Sequence, residues 1–162
     1  MKNIILIGMP GAGKSTVGVL LAKSMAYDFC DTDLVIQKQQ GRTLQEIIDS
    51  DGLDGFLKAE EDALLSVEVH NTVIATGGSA VFSEAGMSKL KENGVCVYLK
   101  VPTDELVRRL TNIKTRGIAC KKGETVADIL LERAPYYEKY ADVTVECAEH
   151  AEDTVEMIIR DL

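Results

Sequence analysis

The run Gly8-Met9-Pro10-Gly11-Ala12-Gly13-Lys14-Ser15, followed by Thr16, is where residue types and spacing most directly imply chemistry. It fits the pattern G-x-x-x-x-G-K-[ST] without a mismatch. Glycines let the main chain wrap inward so that N–H groups converge on an anion, and a helix N-terminus behind them adds positive potential. Gly11, Ala12, Gly13, Lys14, Ser15 and Thr16 are therefore expected to cradle the phosphates of ATP. Lys14 would reach the β- and γ-phosphates, and the Ser15 hydroxyl would be offered to Mg2+.

A second chemical signal is Phe29-Cys30-Asp31-Thr32-Asp33, two carboxylates one residue apart behind a short apolar stretch. One could hold Mg2+ through water while the other accepts hydrogen bonds from a substrate hydroxyl. The same residues also suit a helix start, where Asp and Thr cap exposed N–H groups. A guanine-specific Asn-Lys-x-Asp run is missing, since 112–115 reads Asn-Ile-Lys-Thr, and Asp49-Ser50-Asp51-Gly52 reads as a polar turn.

These groups need elements to position them. Continuous apolar runs or short alternations at 3–7, 27–30, 72–76, 95–101 and 143–147 read as strands. Helical spacing predicts helices over 14–25, 34–40, 43–49, 56–69, 88–92, 104–110, 126–133 and 151–162, with Pro135 expected to end the seventh. The segment 111–123 has no apolar period and carries Lys114, Arg116, Lys121 and Lys122, so it reads as a mobile lid. Strands alternating with helices behind a phosphate cradle predict a three-layer α/β fold of the P-loop nucleoside-triphosphatase type. It would hold a five-stranded parallel sheet with helices on both faces in one domain, 1–162. Ligands in such sheets sit beyond the carboxyl ends of the strands.

Composition narrows the partners. Hydrophobic residues make up 46% and charged residues 27% of the 162, an ordinary globular balance. The net charge of -8 weighs against nucleic acid, which needs clustered Lys and Arg. The first apolar run is too short to span a membrane, and a cytoplasmic monomer is expected. The four cysteines form no close pair of the kind that binds zinc, so buried, reduced thiols are expected.

In order and spacing, the cradle at 8–16, Phe29-x-Asp31-x-Asp33, Ala75-Thr76-Gly77-Gly78, Arg116 and Arg133-Ala134-Pro135-Tyr136-Tyr137 before Ala141-Asp142 resemble shikimate kinase over essentially the whole chain. The resemblance implies transfer of the γ-phosphoryl group of ATP to a hydroxyl of shikimate. It implies that Asp33 contacts and helps deprotonate the acceptor, and that Asp31 sits in the outer shell of Mg2+. Gly77 and Gly78 would approach the acceptor, Arg133 would pair with its carboxylate, Arg116 would swing onto the phosphates, and Arg109 would flank adenine.

Three positions depart from the family pattern. A second family arginine after Phe56 is Leu57, with Lys58 next as an imperfect replacement about 100° further round a helix. The third glycine of Gly-Gly-Gly is Ser79, and the lid's Arg-Pro is Arg116-Gly117. Two alternatives stay open on these residues: a relative acting on a different small hydroxylated metabolite, or a non-catalytic nucleotide-binding protein.

Overall fold

The computed structural model describes residues 2–110 and 118–162. Arg116 and the rest of 111–117 lie outside the described residues. Strand β1, Asn3–Ile7, is buried at all five positions. Successive side chains of a strand point to opposite faces, so uniform burial requires cover on both sides of the sheet. The other strands are β2 (Asp28–Asp31), β3 (Thr72–Ala75), β4 (Gly94–Lys100) and β5 (Val143–Glu146). All pair in parallel in the order β2-β3-β1-β4-β5. The five-stranded parallel sheet expected from the sequence is thus present, with strand ends displaced by at most one residue.

Among the described residues the helices are α1 (Lys14–Met25), α2 (Thr32–Gln40), α3 (Leu44–Ser66), α4 (Glu84–Lys91), α5 (Thr103–Arg109), α6 (Val126–Tyr140) and α7 (Ala151–Asp161), with a 3-10 turn at Ala80–Phe82. From β1 the chain leaves toward β2, whereas from the adjacent β3 it leaves toward β4. Connections departing in opposite directions from neighbouring strands open a crevice at their carboxyl ends. The loops after β1 and β3 flank that crevice, and the end of β2 stands beside them.

Three helical expectations change. The segments 43–49 and 56–69 join into α3, which is interrupted at Gly52, where φ 74° and ψ -177° break the helix. Helix α4 begins at Glu84, four residues before the predicted 88, because Ser83 caps it by accepting from the Gly86 N–H. Helix α6 does not stop at Pro135 but runs through it to Tyr140. Proline lacks the N–H that would bond to the Leu131 carbonyl. Burial of Tyr137 and Tyr140 beyond it keeps the chain helical, and Tyr98 stacks on Tyr137 at 5.1 Å. The four cysteines are free, as expected; Cys96 is fully buried and the other three only partly so.

Apolar packing divides in two. The main cluster surrounds β1, β3 and β4. A smaller one joins Ile36 of α2 to Ile47, Phe56, Ala59 and Ala63 of α3 and to Ala119. This second cluster fixes α2 and α3 over one end of the crevice. Ile36→Ala, at a fully buried position, should cost about 2–5 kcal/mol in urea unfolding; an unchanged midpoint would contradict this packing.

Candidate active site

The loop after β1 takes a path that side chains would obstruct. Gly8 has φ 148°, and a Cβ there would stand 2.7 Å from the Leu99 carbonyl oxygen. Gly13 caps α1 in the left-handed region at φ 90° and brings no side chain to its first-turn N–H groups. Gly11, Gly13, Lys14, Ser15 and Thr16 line a cavity of about 430 Å³. Buried Lys14 donates from Nζ to the Gly8 and Met9 carbonyls at 2.6 and 2.8 Å. The cradle thus holds its ammonium group against its own main chain. Arg109 of α5 donates to the Gly11 carbonyl at 3.0 Å and pairs with Glu105 at 2.8 Å. It borders both the main cavity and a smaller one of about 190 Å³ lined by Thr16, Cys147 and Thr154. Burial pushes the Cys147 thiol up to about 11, so it is a wall rather than a nucleophile there.

Asp31 uses both of its carboxylate oxygens. Its Oδ1 accepts the Asp33 N–H at 2.9 Å and caps α2, while Oδ2 accepts the Ser15 hydroxyl at 2.9 Å. Hard oxygen donors from Ser15 and Asp31, held this close beside the cradle, fit Mg2+, which keeps several waters and takes one or two protein oxygens. Asp33 turns into the cavity. Burial raises its carboxyl to about 6, Asp31 adds to the rise, and Lys14 opposes it.

Gly77 and Gly78 follow β3 at a point of close approach. A Cβ on Gly77 would lie 2.7 Å from Asp33 Oδ1 and 2.9 Å from Glu60 Oε2. On Gly78 it would lie 2.6 Å from Pro10 and 3.0 Å from Arg133 Nη1. Any side chain at either position would push these groups aside. Arg133 of α6 is 2% exposed, donates to the Ala119 carbonyl, and sits 5.4 Å over the Phe82 ring. One turn later the Tyr137 hydroxyl donates to the Gly78 carbonyl at 2.6 Å. Ile118 and Ala119, the described start of the expected lid's second half, are buried and wall the cavity.

The structure therefore brings together Gly11, Gly13, Lys14, Ser15, Thr16, Asp33, Gly77, Gly78, Ser79, Arg109 and Arg133 around one cavity, with Asp31 bonded to Ser15 at its edge, whereas Ala12 is buried in the core and borders the smaller cavity. Lys58 is not part of it. Its side chain is 74% exposed and pairs with Asp62 at 3.1 Å. Phe56 faces the core, and two residues onward a helix has turned about 200°, which carries Lys58 outward.

Glu60 was missed by sequence reasoning. It is 1% exposed and lines the cavity; Ser79 donates to its Oε1 at 2.6 Å, and its Oε2 has no hydrogen-bond partner among the described residues. Burial raises its carboxyl to about 7; Asp33 adds to the rise, while Ser79, Arg133 and Lys14 oppose it. The available signal was an acidic residue on the apolar face of α3, four positions after Phe56 and among Ala59, Ala63 and Leu64.

A parallel sheet with a glycine-built anion cradle at its crevice, opposed by buried carboxyl and guanidinium groups, defines the class of P-loop kinases. Residues 10–162 match the family model described as shikimate kinase. A shikimate kinase of Caldanaerobacter subterraneus subsp. tengcongensis is 34% identical, the match covering 99% of this chain and 95% of that one. A shikimate kinase of Francisella tularensis subsp. novicida is 38% identical over 90% of this chain and 85% of its own. Among solved structures, shikimate kinase from Acinetobacter baumannii in complex with shikimate superposes with a TM-score of 0.90 at 32% identity, covering 99% of this chain and 92% of that one. The chain belongs to the shikimate kinase family.

The Glu60 environment sets a pH dependence of stability. The folded chain keeps this proton up to about 7, whereas an ordinary glutamate releases it near 4.5, so stability falls as pH rises between those values. Glu60→Gln should remove that slope. Its melting temperature relative to wild type should rise by roughly several degrees from pH 5 to pH 8; a difference constant across that range would refute the assignment.

Proposed function

We propose that the protein transfers the γ-phosphoryl group of ATP to a hydroxyl of shikimate. The observation that carries this reading is one cavity joining the phosphate cradle to Asp33, Gly77, Gly78 and Arg133. Membership of the family, whose reaction draws on ATP with Mg2+, supports it from a separate direction.

Phosphoryl transfer asks mainly for positioning and charge neutralisation. The cradle N–H groups and Lys14 bind the phosphates, and Lys14 exchanges its contacts with the Gly8 and Met9 carbonyls for phosphate oxygens. Ser15 and Asp31 would hold Mg2+, which supplies charge neutralisation on the phosphates when bound. Asp33 accepts the proton of the attacking hydroxyl, and its raised carboxyl makes it a stronger base than an exposed aspartate. Arg133 offers its planar donors to the acceptor's carboxylate. Ile118 and Ala119 keep water from the acceptor end, where it would compete as nucleophile. Arg109 flanks the base, and Arg116, outside the described residues, is assigned to the phosphates by resemblance alone.

We further propose a single domain acting as a cytoplasmic monomer without a nucleic-acid partner. The net charge of -8 supports the last point. Its exposed large apolar side chains are spread over α1, α2, α3, α5, α6 and α7, which supports the monomer. No helix of the described residues is long and apolar enough to cross a membrane.

Leu57 and the outward Lys58 favour comparing shikimate with other hydroxylated acceptors in the assay. In a coupled ADP-release assay, shikimate-dependent turnover of about 1–100 per second is expected. Lys14→Ala should abolish it with the fold intact by circular dichroism. Turnover with another hydroxy acid or sugar but not shikimate would overturn the acceptor assignment, and retained activity in Lys14→Ala would overturn the role of the cradle.

A further inference from the structure

The acceptor end of the cavity contains a polar atom that no described residue matches. Glu60 Oε2 is buried without a hydrogen-bond partner among the described residues, and it lies 2.9 Å from where a Gly77 side chain would begin. Arg133 Nη1 lies 3.0 Å from the equivalent position on Gly78. The two groups therefore face the same two-residue stretch of main chain, from α3 and from α6.

We propose that Glu60 is a substrate-contacting, specificity-determining residue: as a neutral acid it donates a hydrogen bond from Oε2 to the acceptor's carboxylate, beside the Arg133 guanidinium. This inference rests on the reading of the acceptor as a carboxylated molecule.

The hydrogen-bond pattern assigns the proton. Ser79 donates to Oε1, so Oε1 is an acceptor and the acid's hydrogen resides on Oε2, the buried oxygen that no described residue matches. An ionised Oε2 in this place would be a buried charge without a hydrogen-bonded counter-ion among the described residues, which is costly. A neutral O–H is instead one unmatched donor, and an anion is its best partner because bonds to charged acceptors are shorter and stronger. Roles then divide between the two carboxyls. Asp33 receives from a hydroxyl of the acceptor, whereas Glu60 gives to its carboxylate.

The ionisable groups around Glu60 agree with this division. Asp33 of α2 disfavours its ionisation, while Lys14 of α1 and Arg133 of α6 favour it, and burial outweighs both cations. Tyr137 of α6 stands nearby with its own ionisation pushed far up by burial, so its hydroxyl stays protonated. An acceptor carboxylate adds one more negative neighbour and drives Glu60 further toward the neutral form. Ser79 acts in the opposite sense, since its hydrogen bond stabilises the ionised carboxylate.

The consequence is a proton taken up when the acceptor binds. Calorimetric titration of the whole protein with shikimate, in two buffers of different ionisation enthalpy, measures this directly. Near pH 8 the wild type should take up about one proton, and the dissociation constant should rise about tenfold per pH unit above the break. Glu60→Gln keeps a donor at this position and has no proton to exchange; its affinity should be flat with pH and within about threefold of the wild type at low pH. Ser79→Ala should fold and shift the break to higher pH, a displacement that a purely structural role would not produce.

Uptake that persists in Glu60→Gln belongs to Asp33 and overturns the inference while leaving the shikimate reading in place. So does wild-type binding that is flat with pH. Failure of shikimate to bind the wild type at all removes the carboxylated-acceptor reading and the inference together.

Discussion

Close approach of main chain to side chains at Gly77 and Gly78 is the constraint on which the end of the cavity opposite the cradle depends. Asp33, Glu60, Pro10 and Arg133 come from four different parts of the chain, and all stand where a Cβ on one of these two residues would begin. Their convergence is possible because β3 ends at the crevice beside β1, and because the residues after it occupy almost no volume. The Tyr137 hydroxyl on the Gly78 carbonyl then fixes the strand's exit from the side of α6. A burial-driven core supplies the platform, but the geometry of the site is set by this short, bare piece of backbone.

The nucleotide half follows a different logic. Its groups are main-chain amides and one ammonium, placed by Gly8, Gly11 and Gly13 in backbone conformations with positive φ. Lys14 resting on the Gly8 and Met9 carbonyls keeps its charge solvated by the loop itself. The Ser15 and Asp31 contact joins this half to the start of α2, so the same turn that caps a helix also carries Asp33 into the cavity.

What could be read from residues alone tracks how local the physics is. The cradle, the buried β1 and the strand-helix alternation were legible because each rests on a short pattern of types and spacing. The run of α6 through Pro135 was not, because long-range burial of Tyr137 and Tyr140 overrides a local breaker. The early start of helix α4 was not legible either, because it rests on the Ser83 side chain accepting from the Gly86 N–H. Lys58 was placed as a substitute cation by nearness in sequence, and the rotation of α3 sends it to solvent instead. Glu60 escaped notice because a charged residue on an apolar helical face looks like a break in the pattern until the opposing Ser79 and Gly77 are in view. The order of the strands, which makes the crevice, has no local signature at all.

The missing rung in α6 has a mechanical result. Pro135 leaves the Leu131 carbonyl without its usual donor, and it falls between Arg133, held on the Ala119 carbonyl, and Tyr137, which anchors Gly78. The helix lacks a rung between the guanidinium that lines the cavity and the hydroxyl that clamps the strand exit. A small bend at that joint would let the guanidinium follow its ligand while the tyrosine stays fastened to the sheet.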